Sequence, residues 1–290
     1  MKPRVRSVLH APSATFSHVV WDPDSRHGAV IDPALDFDPK SGCTGTDTPT
    51  RLLAIVAREG LTIDWILETH AHADHITAAP WLQAHLGAPP VAIGEGIRVV
   101  QDRFRRLFNL DHGFVPDGRP FDRLFADGAT FPIGGALEGR VIATPGHTSD
   151  HVTYVIGDAA FVGDTLFMPD AGTARCDFPG GDARRLFRSV QRLFDELSDA
   201  MRVFTLHDYG PGGREPANET TVDAQRSDNI HVRLGTNERE FVHMREERDA
   251  TLELPTLIIP SIQVNIRAGH FPPAASNGIT YLQIPVDAFA

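Results

Sequence analysis

Along the first 210 positions, short runs of apolar residues alternate with stretches in which apolar residues recur every three or four positions. The runs are typical of strands buried on both faces, and the longer spacing is typical of amphipathic helices. The runs predict strands at residues 28–33, 63–67, 91–93, 141–143, 152–156, 160–162 and 203–206. The spacing predicts helices at residues 51–59, 76–85 and 183–197. This interleaving favours a layered α/β core in which helices cover sheets.

Loops are predicted where glycine and proline accumulate, at residues 34–49 and in a crossing segment at residues 107–128. After about residue 209 the pattern changes to two charged helical stretches, residues 218–232 and 238–252, and then to a Pro-rich, extended segment at residues 254–290. We therefore divide the chain into a core, residues 1–210, and a C-terminal helical and extended lobe, residues 211–290. The lobe is expected to pack on the core within a single domain.

The composition excludes several classes of protein. A net charge of −11 argues against a nucleic-acid partner, since such proteins usually carry a basic face. The longest apolar run, residues 52–57, is far shorter than the roughly 20 residues that span a bilayer, so no membrane partner is expected. Two cysteines, Cys43 and Cys176, rule out a disulfide framework. We expect a cytoplasmic protein.

The 14 histidines are unevenly distributed, and three of them lie within six residues. His70, His72 and His75 form the pattern H-x-H-x-D-H with Asp74, directly after a predicted strand. Imidazole and carboxylate groups at such short spacing suit a metal ion. The alternative is a set of solvated surface histidines beside a helix that Asp74 caps.

Three more candidate ligands follow predicted strands. His147 lies on a Gly-Pro turn after residues 141–143, Asp164 follows residues 160–162, and His207 ends the strand at residues 203–206. Each alone could be a turn histidine or a capping aspartate. Four strand ends with ligand groups in this order resemble the metallo-β-lactamase superfamily, over about residues 15–210. The resemblance implies an αββα sandwich of two mixed β-sheets flanked by helices, with a metal at one end.

Two segments sharpen the resemblance: Leu67-Glu68-Thr69-His70-Ala71-His72-Ala73-Asp74-His75, and residues 159–167 followed by Thr173-Ala174-Arg175-Cys176-Asp177-Phe178. They are similar to the persulfide dioxygenases, also called sulfur dioxygenases, related to the ethylmalonic encephalopathy protein, and most similar to the longer bacterial single-domain type. The resemblance implies one Fe²⁺ per chain, held by His70, His147 and Asp164. The implied reaction oxidises glutathione persulfide with O₂ to sulfite and glutathione, and a homodimer is one candidate assembly.

The same resemblance leaves two interpretations open for the role of four further residues. His72, Asp74, His75 and His207 complete two metal sites in dinuclear zinc relatives, and in the iron enzymes they would orient ligands and waters. We count His207 with the three ligands as catalytic. Relatives commonly carry Cys where this chain has His151, which casts doubt on regulation of the activity through a cysteine. The simpler interpretation of His151 is a polar residue at the start of the next strand.

Substrate carboxylates need cationic partners, for which arginine is best suited. Arg175 is the first candidate, followed by Arg226 and Arg267 in the C-terminal lobe, although a surface salt bridge explains each of them as well. Cys176 is expected to be a small buried residue, not a nucleophile.

Two other functions compete with the dioxygenase. One is a dinuclear zinc hydrolase of glutathione thioesters, holding two Zn²⁺ ions whose bridging hydroxide attacks the acyl carbon. The other is a non-catalytic scaffold, which has no reason to keep ligands at all four strand ends. No sulfurtransferase domain is expected after residue 209, because that part of the chain contains no cysteine.

Overall fold

The structure is a computed structural model that describes residues 2–111, 113–135 and 137–288. Residue 1 and positions 112 and 136 of the predicted core, and residues 289 and 290 of the predicted extended segment, lie outside the described residues. The described residues form two six-stranded sheets and a small three-stranded sheet.

The first large sheet is mixed, since its first three strands are antiparallel and the others run parallel. In spatial order it contains β1 (Arg4–His10), β2 (Thr15–Trp21), β3 (His27–Ile31), β6 (Thr62–Leu67), β8 (Val91–Gly94) and β9 (Arg123–Phe125). The small sheet is formed by β5 (Cys43–Gly45), β4 (Ala34–Asp38) and β7 (Ile76–Thr77).

The second large sheet is antiparallel except for one parallel pair, β13 with β14. In spatial order it contains β10 (Thr130–Ile133), β11 (Leu137–Ala143), β12 (Val152–Ile156), β13 (Ala159–Phe161), β14 (Arg202–Phe204) and β15 (Glu219–Thr221). The helices are α1 (Asp47–Glu59), α2 (Ala79–His85), α3 (Ile97–Leu107), α4 (Ala183–Glu196), α5 (Val222–Asp228), α6 (Glu238–Asp249) and α7 (Ile258–Asn265).

Side chains of successive strand residues pack into different layers. On β3, Ala29 and Ile31 pack between the two sheets, whereas Val30 packs against the helices. Tyr154 and Val155 on β12 do the same from the opposite sheet. The outer face of the first sheet is covered by α1, α2, α3 and α7, and that of the second by α4 and α6. These layers form the αββα sandwich that the sequence resemblance implies.

Several sequence predictions need correction. The predicted loop at residues 34–49 contains the hairpin of β4 and β5 and the start of α1, which begins at Asp47. The predicted helix at residues 76–85 is split into β7 and α2, and the predicted extended segment at residues 254–290 contains α7. The crossing segment at residues 107–128 contains β9, and the sequence reading missed β1, β2, α3 and β10.

The boundary predicted at residue 210 does not separate the sheets from the rest of the chain. Strand β15 lies beyond it and pairs with β14, for example through Val203 and Thr220. In the structure the predicted helices at residues 218–232 and 238–252 are shorter and correspond to α5 and α6.

Among the described residues no helix is both long and apolar enough to cross a bilayer.

Candidate metal centre

The segments that follow four strands meet at one edge of the sandwich. Residues 69–75 follow β6, His147 follows β11, Asp164 follows β13, and His207 follows β14. The two sheets are joined here by an isolated bridge between Thr15 and His207. The topology therefore gathers all the predicted ligands in one place.

His70, His147 and Asp164 form a buried cluster in which one ligand atom from each lies within 4.8 Å of the others. Asp164 Oδ2 is 3.4 Å from His147 Nε2 and 3.8 Å from His70 Nε2. Two ligand atoms that bind one ion at about 2.1 Å, at angles of 90–110°, are about 3.0–3.4 Å apart. The spacing is therefore close to that of a shared metal ion.

Several buried ligand atoms in the described part of this region lack hydrogen-bond partners. Among the described residues, His70 Nε2 and Asp164 Oδ1 are buried without a hydrogen-bond partner, and so is His72 Nδ1. Buried polar atoms are normally satisfied, so orphan atoms of this kind call for an ion or a water. Burial, assisted by the neighbouring histidines, lowers the pKa of His70 well below its usual value. Its ring is therefore neutral, with a lone pair available for a metal, and the residues fit one.

Two glycines allow the turns that present the ligands. Gly163 precedes Asp164 with φ of +48°, and a Cβ there would lie 2.5 Å from Thr69 Oγ1 and 2.6 Å from His151 Nε2. Gly146 precedes His147 with φ of +155°, and its Cβ would lie 2.3 Å from the Cα of Leu186 on α4. Only glycine tolerates both the conformation and the close approach.

Asp74, His75 and His207 form a second cluster beside the first. Asp74 Oδ2 accepts a hydrogen bond from the Thr15 hydroxyl at 3.2 Å and contacts His75 Nδ1 at 3.1 Å. His207 Nε2 lies 3.4 Å from both Asp74 Oδ2 and Asp164 Oδ1. Burial lowers the pKa of His75 to about 4 despite the nearby Asp74, and His75 Nε2 is buried without a partner.

His72 takes part in two groups: its ligand atom lies within 4.8 Å of those of Asp74 and His75, and it also joins a third network with Asp32 and Glu68. Its Nε2 lies 3.0 Å from Asp32 Oδ1 and 3.2 Å from Glu68 Oε2, and all three residues are buried. Burial alone would lower the pKa of His72, but the two acidic side chains outweigh it and raise the pKa. Asp32 also accepts hydrogen bonds from the backbone and hydroxyl of Thr69, so it holds the start of residues 69–75, the ligand segment.

Further hydrogen bonds hold the three residues of the first cluster. His147 Nδ1 lies 2.7 Å from the backbone oxygen of Arg175, which leaves Nε2 on the ligand side of the ring. The backbone N–H of Asp164 donates to His151 Nε2 at 2.9 Å, and the His151 ring stacks on His70 with centroids 4.7 Å apart. The N–H of Ala71 donates to Asp150. His151 is thus built into the ligand cluster and is more than a polar residue at a strand start.

A cavity of about 1060 Å³ opens onto the clusters. His147, Asp164, Asp74 and His207 lie at its wall together with aromatic and apolar residues, namely Phe37, Phe167, Phe178, Tyr209, Ile230, Leu252 and Leu257. A partly apolar cavity that ends on a few convergent polar groups is typical of a small-molecule site.

The three predicted substrate arginines have different positions. Arg175 lines the cavity, but its guanidinium forms a two-pronged pair with Asp177, 2.6 Å at each contact, and donates to the carbonyls of Leu252 and Glu253. Arg226 and Arg267 are not among the cavity-lining residues. Arg226 pairs with Asp199, and Arg267 lies 4.4 Å above the Phe114 ring.

The structure adds residues that the sequence reading did not single out. Asp32, Asp150 and Thr15 are buried, and each holds part of a ligand cluster through hydrogen bonds. Their partners are between 37 and 79 positions away in sequence, so only the fold reveals the pairing. Cys176 is buried as expected, and burial raises the pKa of its thiol far above its usual value.

The known proteins to which this chain is similar carry different functional names. A probable metallo-hydrolase of Burkholderia pseudomallei is 49% identical over 98% of this chain and 99% of its own length. Glyoxylase B2 of Dictyostelium discoideum is 44% identical over 99% of this chain and 98% of its own. The mitochondrial persulfide dioxygenase ETHE1 of Homo sapiens is 29% identical, covering 93% and 91% respectively. The two relatives of higher identity are therefore named a hydrolase and a glyoxylase, not dioxygenases.

The fold agrees with these relationships. The crystal structure of ETHE1 from Myxococcus xanthus superposes with a TM-score of 0.71 at 29% identity, over 92% of this chain and all of that one. The Metallo-beta-lactamase superfamily profile matches residues 41–206, more than half of the chain. The fold and the resemblance inferred from the sequence are thereby confirmed: the chain belongs to the metallo-beta-lactamase superfamily.

Proposed function

We propose that this protein is a persulfide dioxygenase that uses one Fe²⁺ held by His70, His147 and Asp164. The overall reaction balances as glutathione persulfide plus O₂ and water giving glutathione, sulfite and two protons. Fe²⁺ bound by two histidines and one carboxylate supplies the redox chemistry with dioxygen that protein side chains lack. The resemblance to persulfide dioxygenases, at 29% identity over most of both chains, supports this activity.

One observation carries the proposal: the two ligand clusters differ in the hydrogen-bond partners of their candidate ligand atoms. In the first cluster His70 Nε2 is buried without a partner and faces Asp164 Oδ2 at 3.8 Å, whereas Asp74 Oδ2 in the second cluster is contacted by Thr15 and His75. A metal at the second cluster would have to share or replace those contacts, each worth about 0.5–1.5 kcal/mol. This asymmetry favours a single metal in the first cluster.

The residues around the cluster position the ligands and shape the cavity. The Arg175 carbonyl orients His147, and His151 fixes the backbone at Asp164. Phe167, Phe178 and Tyr209 line the cavity and give its wall beside the cluster an aromatic character. Binding in such a cavity brings the persulfide sulfur and dioxygen together in a fixed geometry, which lowers the entropic part of the barrier.

A dinuclear zinc hydrolase of glutathione thioesters is the second candidate. His75 Nε2 is also buried without a partner, and His207 Nε2 lies 3.4 Å from carboxylate oxygens of both Asp74 and Asp164. These atoms could hold a second ion that shares Asp164. The hydrolase and glyoxylase names of the relatives at 49% and 44% identity point the same way.

Metal analysis combined with two assays separates the candidates. Protein purified without added metal should contain about one iron per chain and consume O₂ with glutathione persulfide. S-lactoylglutathione should be hydrolysed slowly or not at all under anaerobic conditions. Two zinc ions per chain with thioesterase activity that persists without O₂ would replace the dioxygenase by the hydrolase.

The proposal carries three expectations about context. The partners are glutathione persulfide and O₂, with no nucleic acid and no membrane. A cytoplasmic location fits the two cysteines, which are free in the structure. A homodimer is the proposed assembly, and size-exclusion chromatography with light scattering measures it directly.

A further inference from the structure

A buried asparagine from the C-terminal helix contacts the ligand segment, residues 69–75. Asn265 is the last residue of α7, is 3% exposed, and lies well beyond the region that matches the family profile. Its Nδ2 donates to the backbone oxygens of His72 and His75, at 2.8 Å each. Its Oδ1 accepts the backbone N–H of Thr77 at 3.0 Å.

Only one orientation of the Asn265 side-chain amide can satisfy these three backbone partners. Two carbonyl oxygens require two N–H donors, and the N–H of Thr77 requires an acceptor. A carboxylate has no donor for the carbonyls, and an apolar side chain would leave three buried backbone groups unsatisfied. The site is therefore specific for a primary amide of this length.

The packing of α7 explains why the amide is held firmly. Ile258, Ile262 and Ile266 pack into the same apolar layer as α1 and α2. Val264 packs against Leu35 and Ile76 in the small sheet. The packed end of α7 thus presents Asn265 to residues 69–75, which contribute side chains to all three groups of candidate ligands.

We propose that Asn265 is a positioning residue that fixes the backbone of the ligand segment and so sets the metal affinity of the site. It holds the end of this segment, at His72 and His75, whereas Asp32 and Asp150 hold its start, at Thr69 and Ala71. Without Asn265 the carbonyls of His72 and His75 are free to turn, and the ligand geometry loosens. The C-terminal lobe is then part of the metal site and does not only cover the cavity. This inference rests on a metal at the clusters and not on the reaction proposed above.

Gln263 provides a matched control on the same helix. It is 1% exposed, and its Nε2 donates to the backbone oxygens of Ile259 and Gln283 at 2.8 and 2.9 Å. Its Oε1 accepts the N–H of Gln283 at 2.9 Å. Gln263 therefore forms the same pattern of three hydrogen bonds, but to the C-terminal segment instead of the ligand segment.

The test compares Asn265→Asp with Gln263→Glu in the full-length, metal-loaded protein. The rate of metal transfer to excess chelator and the thermal midpoint of the metal-free protein are both measured. Both variants should lower the midpoint, but only Asn265→Asp should weaken metal binding, by the roughly 10- to 100-fold typical of residues that support metal ligands. Equal metal-transfer rates in the two variants would overturn the proposal.

A second pair of variants covers the case in which a new buried charge prevents folding. Asn265→Ser and Gln263→Ser shorten the side chains without adding charge, and the same two measurements apply. Faster metal loss from Asn265→Ser alone supports the proposal, and equal rates reject it. Metal transfer does not depend on which reaction the protein catalyses. If the protein binds metal normally but does not oxidise glutathione persulfide, the result therefore counts against the proposed function only.

Discussion

The two ligand clusters at the sheet edge contain the same types of residue but differ in their hydrogen bonds. In the first, His70 and Asp164 each keep a buried atom without a partner. In the second, Asp74 Oδ2 is tied to Thr15 and His75, while His75 Nε2 and the Nδ1 of the neighbouring His72 have no partner. A list of ligands treats the clusters as equal, whereas the hydrogen bonds make the first the stronger candidate for a metal.

The difference follows from which elements hold each cluster. His147 and Asp164 are fixed through atoms other than their candidate ligand atoms: His147 by its Nδ1 and Asp164 by its backbone N–H. Asp74 is held through one of its two carboxylate oxygens, Oδ2, which is itself a candidate ligand atom. Support through non-ligand atoms orients a ligand without competing for it.

The largest effect is expected from removing a ligand of the first cluster. Asp164→Ala or His147→Ala should abolish metal binding and activity together, since two remaining ligands hold Fe²⁺ poorly. The loss of affinity should exceed the roughly 10- to 100-fold caused by removing a supporting residue. Metal content after dialysis and O₂ consumption measure the two effects. Full metal content in either variant would place the metal elsewhere.

A smaller effect is expected from the supports of the clusters. His151→Ala leaves the buried N–H of Asp164 without an acceptor and should weaken metal binding about 10- to 100-fold. Thr15→Val is the matched change at the second cluster, because it removes the hydrogen bond to Asp74 at nearly constant volume. Competition with a chelator gives both affinities. If Thr15→Val weakens the metal as much as His151→Ala, the clusters act as one dinuclear site.

The sequence predicted the candidate ligands better than it predicted their surroundings. His70, His147 and Asp164 were identifiable because each follows a short apolar strand, and parallel or adjacent strand ends meet at one edge. Asp32, Asp150 and Asn265 carry no such local signal, since their partners lie 37, 79 and about 190 positions away.

The fold shows the same limit. The strand at residues 28–33 and the helix at residues 183–197 were predicted nearly as they occur, because their apolar patterns are strong. β1 has alternating partly exposed residues at a sheet edge, and α3 carries four arginines, so neither stands out as apolar. Strand β7, with two residues, exists only through its pairing with β4.

A change at His207 should affect the rate more than the metal. His207 lines the cavity and lies 3.4 Å from Asp74 and Asp164, but it is not part of the buried group of His70, His147 and Asp164. His207→Ala should keep most of the iron and lower kcat about tenfold, within the modest range typical of a single supporting group. Metal analysis and steady-state kinetics on the same preparation separate the two effects. Metal loss as complete as in Asp164→Ala would make His207 a ligand.

The smallest effect on activity is expected from substituting the arginines that line the cavity, which are candidates to bind the charged end of the substrate. Arg175, the first candidate from sequence, has its guanidinium engaged by Asp177 and two carbonyls, so Arg175→Ala should mainly lower the thermal midpoint. Arg248 lines the same cavity, and no acidic group of the described residues lies within ion-pair distance of it. We therefore expect Arg248 to pair with a substrate carboxylate.

Arg248 is exposed, and an exposed ion pair contributes about 0.2–1 kcal/mol, so Arg248→Ala should raise KM for glutathione persulfide about 1.5- to 5-fold. The carboxylate is far from the reacting sulfur, so the contact is equal in the ground and transition states and kcat should not change. Arg239→Ala, an exposed arginine on the same helix that does not line the cavity, is the control. With a small persulfide that lacks carboxylates, wild type and Arg248→Ala should have the same KM. A rise in KM for that neutral substrate as well would mean that Arg248 shapes the cavity and does not bind charge.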